Sequence, residues 1–369
     1  MSLTNQQLAR YVRQVSLAGF GGAAQEKLLR AHVLVVGAGG LGSPALLYLA
    51  GAGVGHVTVI DDDEVSLSNL HRQVIHSTAA VGTPKVDSAR AALDALNPEV
   101  EVTAINGRLT RDNAQGLLAD VDVVLDGSDN LATRYLTSWA CARAGIPHVW
   151  ASILGFDAQL SVFWAGHGPL FEDVFPTPPA PGTVPSCAAA GVLGPVVGTV
   201  GSAMAMEAIK LVTGIGTPLM GRVGYFSALD GTWEYLPVVA HAETARRVTA
   251  GVVLARAVRN AELEETTMHD DVKEVDSIPD GALIIDVRDP EEVVEAAIPG
   301  SVNFPLADIE DGGTPPGVEQ ALDRDQPVVL HCAGGKRSAQ AVAILQERGL
   351  TGPLYSLRGG INAWLEDQL

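Results

Sequence analysis

Short runs of β-branched residues alternate with longer amphipathic runs rich in Ala and Leu from residue 31 onward. Such alternation predicts a parallel sheet with helices on both faces. The expected strands are 32–37, 56–61, 101–106, 120–127 and, with antiparallel pairing, 158–164 and 221–228; the expected helices are 41–53, 85–96, 111–119 and 131–145. The pattern predicts an α/β fold, a Rossmann-like doubly wound mixed sheet.

A second, smaller α/β pattern follows once the first one loosens after Pro237. Its expected strands are 282–288, 327–332 and 353–357, with a helix over 338–348. A chain of 369 residues is also longer than one hydrophobic core usually grows. We therefore expect a first domain over 1–240, a linker over 241–262 and a second domain over 263–369.

The formal net charge of −19 disfavours nucleic acid and anionic membranes as partners. The excess is concentrated over 261–311, where 16 Asp and Glu face only Lys273 and Arg288. A solvated acidic surface explains this stretch without a partner. The uncharged stretch 174–206 is interrupted by prolines and glycines, so it predicts a buried loop and a core helix rather than a membrane span.

Three cysteines, Cys141, Cys187 and Cys332, are too few and too scattered for a disulfide framework. They indicate reduced, intracellular thiols. The first 20 residues contain no uninterrupted apolar run, so we expect no export signal and a cytoplasmic location.

A glycine-rich loop follows the first predicted strand and opens a helix. Its glycines are Gly37, Gly39, Gly40 and Gly42, and this context lets backbone N–H groups approach phosphate oxygens. Asp61 ends the second strand, where a carboxylate can accept a hydrogen bond from a ribose hydroxyl. Taken alone, this pair favours a dehydrogenase that binds NAD.

The residues after Asp61 change that interpretation. Asn69, Arg72 and Gln73 come just past the ribose position, and Lys85 begins the next helix. A triphosphate that loses pyrophosphate builds up negative charge that Arg and Lys can stabilise, whereas a dinucleotide needs few cations.

Asp129 and Asn130 follow the fourth predicted strand and are expected at the same edge of the sheet. A carboxylate there is a suitable ligand for Mg²⁺.

Several motifs together resemble the MoeB/ThiF superfamily, the bacterial relatives of ubiquitin-activating enzymes. They are VVGAGGLGSP, SLSNLHRQ, GTPKVDSA, NPEV, DGSDN and GSAMAMEAIK, and the resemblance covers nearly all of residues 5–237. It implies an enzyme that uses MgATP to adenylate the C-terminal Gly-Gly carboxylate of a ubiquitin-like sulfur-carrier protein.

The resemblance also implies roles for single residues. Gly40 and Asp61 would bind the nucleotide, Asn69, Arg72 and Lys85 would contact the phosphates, Asp129 would hold Mg²⁺, Arg13 would reach into the partner's site in a homodimer, and Cys187 would hold the carrier covalently. Many relatives carry two Cys-x-x-Cys pairs for a structural zinc. This chain has GHGPLFEDVF and VVAHAETARR in their place, so we expect no zinc and expect other packing there.

A second candidate site is the sequence HCAGGKRSA, between a predicted buried strand and a helix. Successive N–H groups and a helix N-terminus can stabilise an anion on Cys332. Gly334 and Gly335 permit the positive φ angles of such a loop, and Lys336 and Arg337 add charge. Cysteine phosphatases and sulfurtransferases both use this design. Four residues separate Cys332 from Arg337, one fewer than in phosphatases, which favours sulfur.

The surrounding segments IIDVRDPEEV, IPGSVNFPL and LRGGINAWL resemble the rhodanese family over 247–367. In that framework, Asp286 and Arg288 are expected to brace the loop, and His331 is expected to be structural rather than a base. The alternative is a degenerate rhodanese fold kept for docking.

The chain is therefore expected to be an adenylyltransferase and sulfurtransferase. A persulfide on Cys332 would attack the acyl adenylate, and Cys187 would resolve the acyl disulfide to leave a thiocarboxylate. The sulfur donor is left open between thiosulfate and a cysteine desulfurase, as is the pathway: molybdopterin, thiamine, tRNA thiolation or cysteine synthesis. The alternatives are an NAD-dependent oxidoreductase with an appended rhodanese domain and a non-catalytic scaffold that binds the carrier.

Overall fold

The computed structural model describes residues 3–179, 191–260 and 272–366. The chain divides into two units, Met1–Arg259 and Asn260–Leu369. The elements of the first unit are the strands β1 His32–Val36, β2 His56–Asp61, β3 Glu101–Asn106, β4 Val123–Asp126, β5 His148–Leu154, β6 Asp157–Phe163, β7 Arg222–Ser227 and β8 Thr232–Pro237, and the helices α1 Asn5–Val15, α2 Gly21–Leu28, α3 Gly42–Ala52, α4 Lys85–Leu96, α5 Ala114–Leu117, α6 Leu131–Ala144, α7 Phe171–Val174, α8 Gly194–Thr213 and α9 Ala242–Thr249. Two single-turn 3₁₀ helices, Leu67–Asn69 and Thr78–Ala80, lie between β2 and α4.

The eight strands of the first unit form one mixed sheet in the order β3-β2-β1-β4-β5-β6-β7-β8. The first five are parallel, and β6, β7 and β8 pair antiparallel. Val33 and Val35 join one core cluster while Leu34 and Val36 join another, so the sheet is covered on both faces. The predicted doubly wound mixed sheet is confirmed. The strand order reverses between β1 and β4, where parallel sheets open a crevice at their carboxyl edge.

Helix α5 is shorter than the predicted helix over 111–119. The side chains of Thr110 and Asn113 accept each other's backbone N–H groups, at 3.2 and 2.8 Å. These reciprocal bonds form a turn over 110–113, and the regular helix follows it from Ala114 to Leu117.

The first unit extends into the segment that we expected to be a linker. Helix α9 and a further helical stretch over 252–260 place Val248, Val253 and Leu254 in the core cluster that also contains α6. The boundary between the units therefore follows Arg259 rather than residue 240. Residues 261 and 262 of the expected linker lie outside the described part of the chain.

Among the described residues, one helix, α8, is long and apolar enough by length and composition to cross a bilayer. Half of it is buried, and Val196, Val200 and Met204 belong to the core of the first unit. A Cβ on Gly201 would lie 2.4 Å from the carbonyl oxygen of Leu41, so this glycine permits a close approach to the start of α3. These contacts are those of the predicted core helix.

The second unit is a five-stranded parallel sheet in the order β11-β10-β12-β13-β9. Its elements are the strands β9 Glu274–Val275, β10 Leu283–Asp286, β11 Val302–Asn303, β12 Val328–His331 and β13 Leu354–Leu357, and the helices α10 Pro290–Glu295, α11 Leu306–Glu310, α12 Val318–Asp323, α13 Lys336–Glu347 and α14 Gly360–Glu366. Leu330 and Val329 of the central strand β12 face two different core clusters, so this sheet is also covered on both faces.

Aromatic packing and one carboxylate hold the two segments where relatives would carry cysteine pairs. Phe171 is fully buried and contacts Tyr135 and Trp150 edge to face. Asp173 accepts hydrogen bonds from the N–H groups of Leu170 and His241, at 2.9 and 3.3 Å, and so links the segments. This agrees with the expectation of other packing in this region, and the expected absence of zinc stays a prediction.

Glu172 lies in this apolar region and is almost fully buried. Burial raises its pKa to about 7, although the hydroxyl of Ser138 donates a hydrogen bond to the carboxylate at 2.8 Å. The folded state therefore holds a proton that the unfolded chain releases above pH 4.5. The stability contributed by the neutral carboxyl is present at pH 4.5 and is lost as the pH rises toward 7.

We predict that Glu172→Gln raises the free energy of unfolding by about 2–3 kcal/mol at pH 8, because the amide has no charge to bury. At pH 4.5 the same substitution should change the free energy of unfolding little. Urea denaturation of both forms across this pH range measures the difference. Glu243→Gln, which replaces an exposed carboxylate of α9, is the matched control. Its free energy of unfolding should differ from that of the parent by the same amount at every pH. Equal curves for Glu172→Gln and the parent would contradict the prediction.

Candidate functional site

The glycine loop after β1 is a turn that side chains would block. Gly37 has φ +94°, and its N–H donates to the carbonyl of Ile60 at 2.9 Å. A Cβ on Gly42 would lie 1.9 Å from the carbonyl oxygen of Gly37, and a Cβ on Gly37 would lie 3.3 Å from that of Gly127. The loop therefore packs against its own end and against the turn that follows β4. These are the two positions where the backbone can adopt this shape only with glycine.

The peptide of Ala38, at the tip of this turn, is held at both ends. Its N–H donates to Asp61 Oδ2 at 2.7 Å, and its carbonyl oxygen lies 3.0 Å from His76 Nε2. The other ring nitrogen of His76 lies 2.9 Å from the hydroxyl of Ser88. Burial raises the pKa of Asp61, and the nearby Lys85 opposes this shift. Asp61 thus shapes the loop as well as standing at the predicted ribose position.

His76 was not found by sequence reasoning. It is buried, and burial lowers its pKa, so the neutral imidazole is favoured. A single histidine in an apolar stretch looks like any core histidine. Only the contact with Ala38, 38 positions away in the chain, distinguishes it.

The predicted cations lie at the same edge of the sheet. Lys85 is 5% exposed, and its Nζ contacts Asp63 Oδ2 at 2.7 Å. Arg72 donates from Nη1 to the carbonyl of Ser68 at 3.0 Å. Burial lowers the pKa of Arg72, and the carboxylate of Asp129 partly offsets this effect. The loop after β2 and the turn after β4 therefore place Arg72 and Asp129 within electrostatic range of each other.

Gln73 and Gly39 face each other within the loop. A Cβ on Gly39 would lie 3.6 Å from Gln73 Nε2. Gln73 is buried, and its Oε1 is among the buried polar atoms of the described chain that have no hydrogen-bond partner. The carbonyl of Asn69 accepts the N–H groups of Arg72 and Gln73, at 3.1 and 2.9 Å, and so sets their direction. Gly40 instead packs against Val197 of α8, 3.2 Å from where a Cβ would stand.

The two predicted site residues of the turn after β4, Asp129 and Asn130, have different environments. Asn130 caps α6, because its side-chain oxygen accepts the N–H of Thr133 at 2.8 Å, whereas Asp129 is exposed. Capping occupies the side-chain oxygen of Asn130, and the expected nucleotide role of this residue stays a prediction. Ser128 donates from N and Oγ to the buried Asp126, at 3.0 and 2.6 Å, which holds the turn beneath the glycine loop.

Arg13 and Cys187 are the two other residues predicted for this site. Arg13 is exposed on α1, whose N-terminus is capped by Thr4. Cys187 lies outside the described residues.

Cys332 directly follows the central strand β12 and is 2% exposed. The N–H of Gly335 donates to its Sγ at 3.1 Å, and the hydroxyl of Ser338 lies 3.7 Å away. Gly335 has φ +91° and precedes α13, as expected, whereas Gly334 does not need a positive φ. Helix α13 begins at Lys336, two residues earlier than predicted, so Arg337 belongs to its first turn.

The segment Gly359–Gly360 closes the other side of the cysteine loop. Ile361 N–H donates to the carbonyl of Cys332 at 2.8 Å. A Cβ on Gly360 would lie 2.2 Å from that same oxygen. Gly360 of LRGGINAWL is therefore required by a close backbone approach, which orients the Cys332 peptide.

The framework residues lie where the sequence predicted. Arg288 forms a bidentate pair with the buried Asp286, with Nη2 to Oδ2 at 2.6 Å and Nε to Oδ1 at 2.9 Å. His331 is fully buried with Nε2 3.6 Å from Asp286 Oδ2, beyond hydrogen-bond distance. Burial lowers the pKa of His331, which favours the neutral ring and fits a structural role.

Arg337 differs from expectation because it is already paired. Its Nη1 and Nη2 donate to the two carboxylate oxygens of Glu292, each at 2.7 Å. These hydrogen bonds raise the pKa of Arg337, and they lower that of Glu292 although burial alone would raise it. The positive charge that was expected to act on Cys332 is neutralised in this structure.

The model of the ThiF family matches residues 11–248, and that of the rhodanese-like domain matches residues 269–367. The chain belongs to the ThiF family. It is 42% identical to the probable adenylyltransferase/sulfurtransferase MoeZ of Mycobacterium tuberculosis, over 98% of this chain and 94% of that protein. It is 36% identical to the adenylyltransferase and sulfurtransferase MOCS3 of Aedes aegypti, over 98% of this chain and 87% of that protein.

Solved structures share the fold of this ThiF-family chain. PaaA has a TM-score of 0.56 at 23% identity, covering 65% of this chain and 76% of that chain. E. coli MccB, solved with ATP, has a TM-score of 0.55 at 20% identity, covering 63% and 72%. The predicted combination of a ThiF-type unit with a C-terminal rhodanese domain is confirmed, and so is the class of enzyme, an adenylyltransferase and sulfurtransferase.

We predict that Gly42→Ala lowers the free energy of unfolding by about 3 kcal/mol, because its Cβ would overlap the carbonyl of Gly37. Gly51→Ala, in the same helix α3 with no atom within 4 Å of the new Cβ, is the control and should gain about 0.5–1 kcal/mol. Denaturant unfolding measures both. A tolerated Gly42→Ala would show that the loop is not closely packed.

Proposed function

We propose that this ThiF-family enzyme uses ATP to adenylate the C-terminal Gly-Gly carboxylate of a ubiquitin-like sulfur-carrier protein and then replaces AMP with sulfur carried on Cys332. The observation that carries the proposal is the presence of both sites in one chain. The first unit places Arg72 and Lys85 beside a glycine loop, and the second places Cys332 under the N–H of Gly335. Relatives that match both units are named for both activities.

In the adenylation step, a carrier carboxylate oxygen attacks the α-phosphate of ATP, and pyrophosphate leaves with the electron pair of the broken P–O bond. The loop N–H groups and the N-terminus of α3 bind phosphate oxygens. Arg72 and Lys85 stabilise the charge that builds up on the leaving group, where burial strengthens their effect. The unpartnered Gln73 Oε1 and the groups of Asn69 supply further polar contacts at this edge.

Mg²⁺ belongs to the proposal through Asp129. This carboxylate is exposed and lies near Arg72, which fits an oxygen ligand for a hard cation beside phosphates. Bound there, the ion would neutralise phosphate charge. Asp61 is less suited because both of its oxygens already accept backbone N–H groups, from Ala38 and Asp63.

In the sulfur step, the terminal sulfur of a Cys332 persulfide attacks the acyl carbon and AMP leaves, which produces an acyl disulfide. A thiol, assigned here to Cys187, then attacks Cys332 Sγ. The carrier leaves as a thiocarboxylate, and a Cys187–Cys332 disulfide remains for an external thiol to reduce. Gly335 N–H and the start of α13 stabilise the anionic sulfur at Cys332.

We predict that Cys332→Ala retains carrier-dependent exchange of pyrophosphate into ATP and loses thiocarboxylate formation, because only the second step uses this thiol. Exchange is measured with labelled pyrophosphate, and the carrier terminus by mass spectrometry. Cys141→Ala, at the other described cysteine, buried in the first unit, is the control that should retain both steps.

Exchange that requires Cys332 would contradict the order of steps. Binding of NAD in place of ATP would instead favour the oxidoreductase alternative, and carrier binding without any turnover would favour the scaffold.

Arg13 extends the proposal to a homodimer in which this exposed arginine completes the partner subunit's site. Arg13→Ala and Lys85→Ala should each abolish exchange. Mixing equal amounts of the two variants under conditions of subunit exchange should restore about a quarter of the parent's exchange activity. Half of the chains then pair as heterodimers, and one of the two sites in each heterodimer is intact. An inactive mixture, with heterodimers verified by differential tags, would place Arg13 in its own subunit's site or outside any site.

A further inference from the structure

The ion pair between Arg337 and Glu292 is held in place by the fold of the second unit. Both side chains are about one-third exposed, at 35% and 36%, and both oxygens of Glu292 accept from the guanidinium. A bidentate pair of this kind is stronger and more directional than an ordinary surface contact.

Glu292 is also tied to the framework behind the cysteine loop. Its Oε2 accepts the N–H of Asp289 at 3.1 Å in the capping box of α10. Arg288 donates to the carbonyls of Glu292 and Ala296, at 3.3 and 2.7 Å, while it is anchored to Asp286. Because α10 is held at both its start and its end, the Glu292 carboxylate is held in position to face Arg337.

The net charge of the second unit disfavours the approach of a dianion, although backbone N–H groups can stabilise an anionic sulfur on Cys332 itself. Residues 272–366 contain 16 Asp and Glu against 7 Lys and Arg, a formal charge of −9. Arg337 acts electrostatically on Cys332, but its charge is matched by Glu292. A dianion that approaches Cys332 meets a unit of net negative charge in which the guanidinium of Arg337 is already paired with Glu292, and repulsion of this kind lowers its rate of capture.

Resting on the proposed role of Cys332 as sulfur acceptor, we propose that Glu292 is a specificity-determining residue that selects the sulfur donor. By neutralising Arg337, it disfavours thiosulfate and favours a donor of lower negative charge, a cysteine persulfide. With either donor, the Cys332 thiolate attacks the outer sulfur and a new S–S bond forms. The old S–S bond breaks, and sulfite or the donor thiolate leaves with the electron pair, so no external oxidant is needed.

The test compares thiosulfate and small-molecule cysteine persulfide as donors to the full chain, with cyanide as final acceptor and intact-mass detection of sulfur on Cys332. We expect Glu292→Gln to raise kcat/KM for thiosulfate about tenfold, because one full charge near the thiol is released. The value for the persulfide should change less than about twofold, and high salt should diminish the gain for thiosulfate.

Glu274→Gln is the control. It removes the same charge from another Arg contact of the same unit, that with Arg358, which keeps Asp276 as its second partner, and it should leave the kcat/KM values for both donors unchanged. The double variant Glu292→Gln with Arg337→Gln is neutral again and should return thiosulfate to within about twofold of the parent. If Glu292→Gln alone does not fold, Arg337→Gln decides: it should lower the thiosulfate value more than the persulfide value.

Unchanged or lower thiosulfate activity in a folded Glu292→Gln, or an equal gain in Glu274→Gln, would overturn the assignment. An equal loss of kcat/KM for both donors in Arg337→Gln would indicate that the ion pair has only a structural role. Absence of sulfur on Cys332 of the parent with both donors is a different result, since it removes the proposed sulfur transfer itself and this inference with it.

Discussion

The close approach of the Gly37 carbonyl to Gly42, where a Cβ would lie 1.9 Å from the oxygen, is the constraint on which the first site depends. A turn this tight leaves no room for a Cβ, and it aims the start of α3 at the crevice where the strand order reverses. The peptide of Ala38 is then oriented by Asp61 from one side and by His76 from the other. The surface that we propose binds phosphate is thus made of backbone, and Asp61 and His76 hold that backbone in place.

The second unit also directs backbone N–H groups toward one point, but it uses different residues. Cys332 follows the central strand, Gly335 supplies the N–H that contacts its sulfur, and Gly360 allows a neighbouring segment to bind the Cys332 carbonyl. In both units an anionic group would meet N–H groups at the carboxyl edge of a parallel sheet. Backbone donors cost no rearrangement when charge develops, which is why such edges recur as sites of acyl and sulfur chemistry.

One cation in each site is paired with a carboxylate. Lys85 contacts Asp63, and Arg337 contacts Glu292. A buried ammonium without a partner would be costly, so the pairing with Asp63 makes the position of Lys85 tolerable. The exposed Asp63 can yield its place to a phosphate, whereas Glu292 is anchored by its own helix. The same kind of ion pair therefore has opposite consequences for the two sites.

The sequence by itself determined most of the elements and the order of the two units, and it singled out Asp61, Lys85 and Cys332, which the structure places beside the two glycine-containing loops. Hydrophobic periodicity and glycine spacing are local properties, and they are readable because parallel strands must present their following loops at one edge. Only the tertiary structure decided which partner each polar group has. Asn130 became a helix cap, His76 a support of the glycine loop and Glu292 the partner of Arg337, while 242–259 packed into the core instead of linking units. Apart from the local cap at Asn130, these outcomes depend on contacts between residues far apart in the chain, and local pattern carries no information about such contacts.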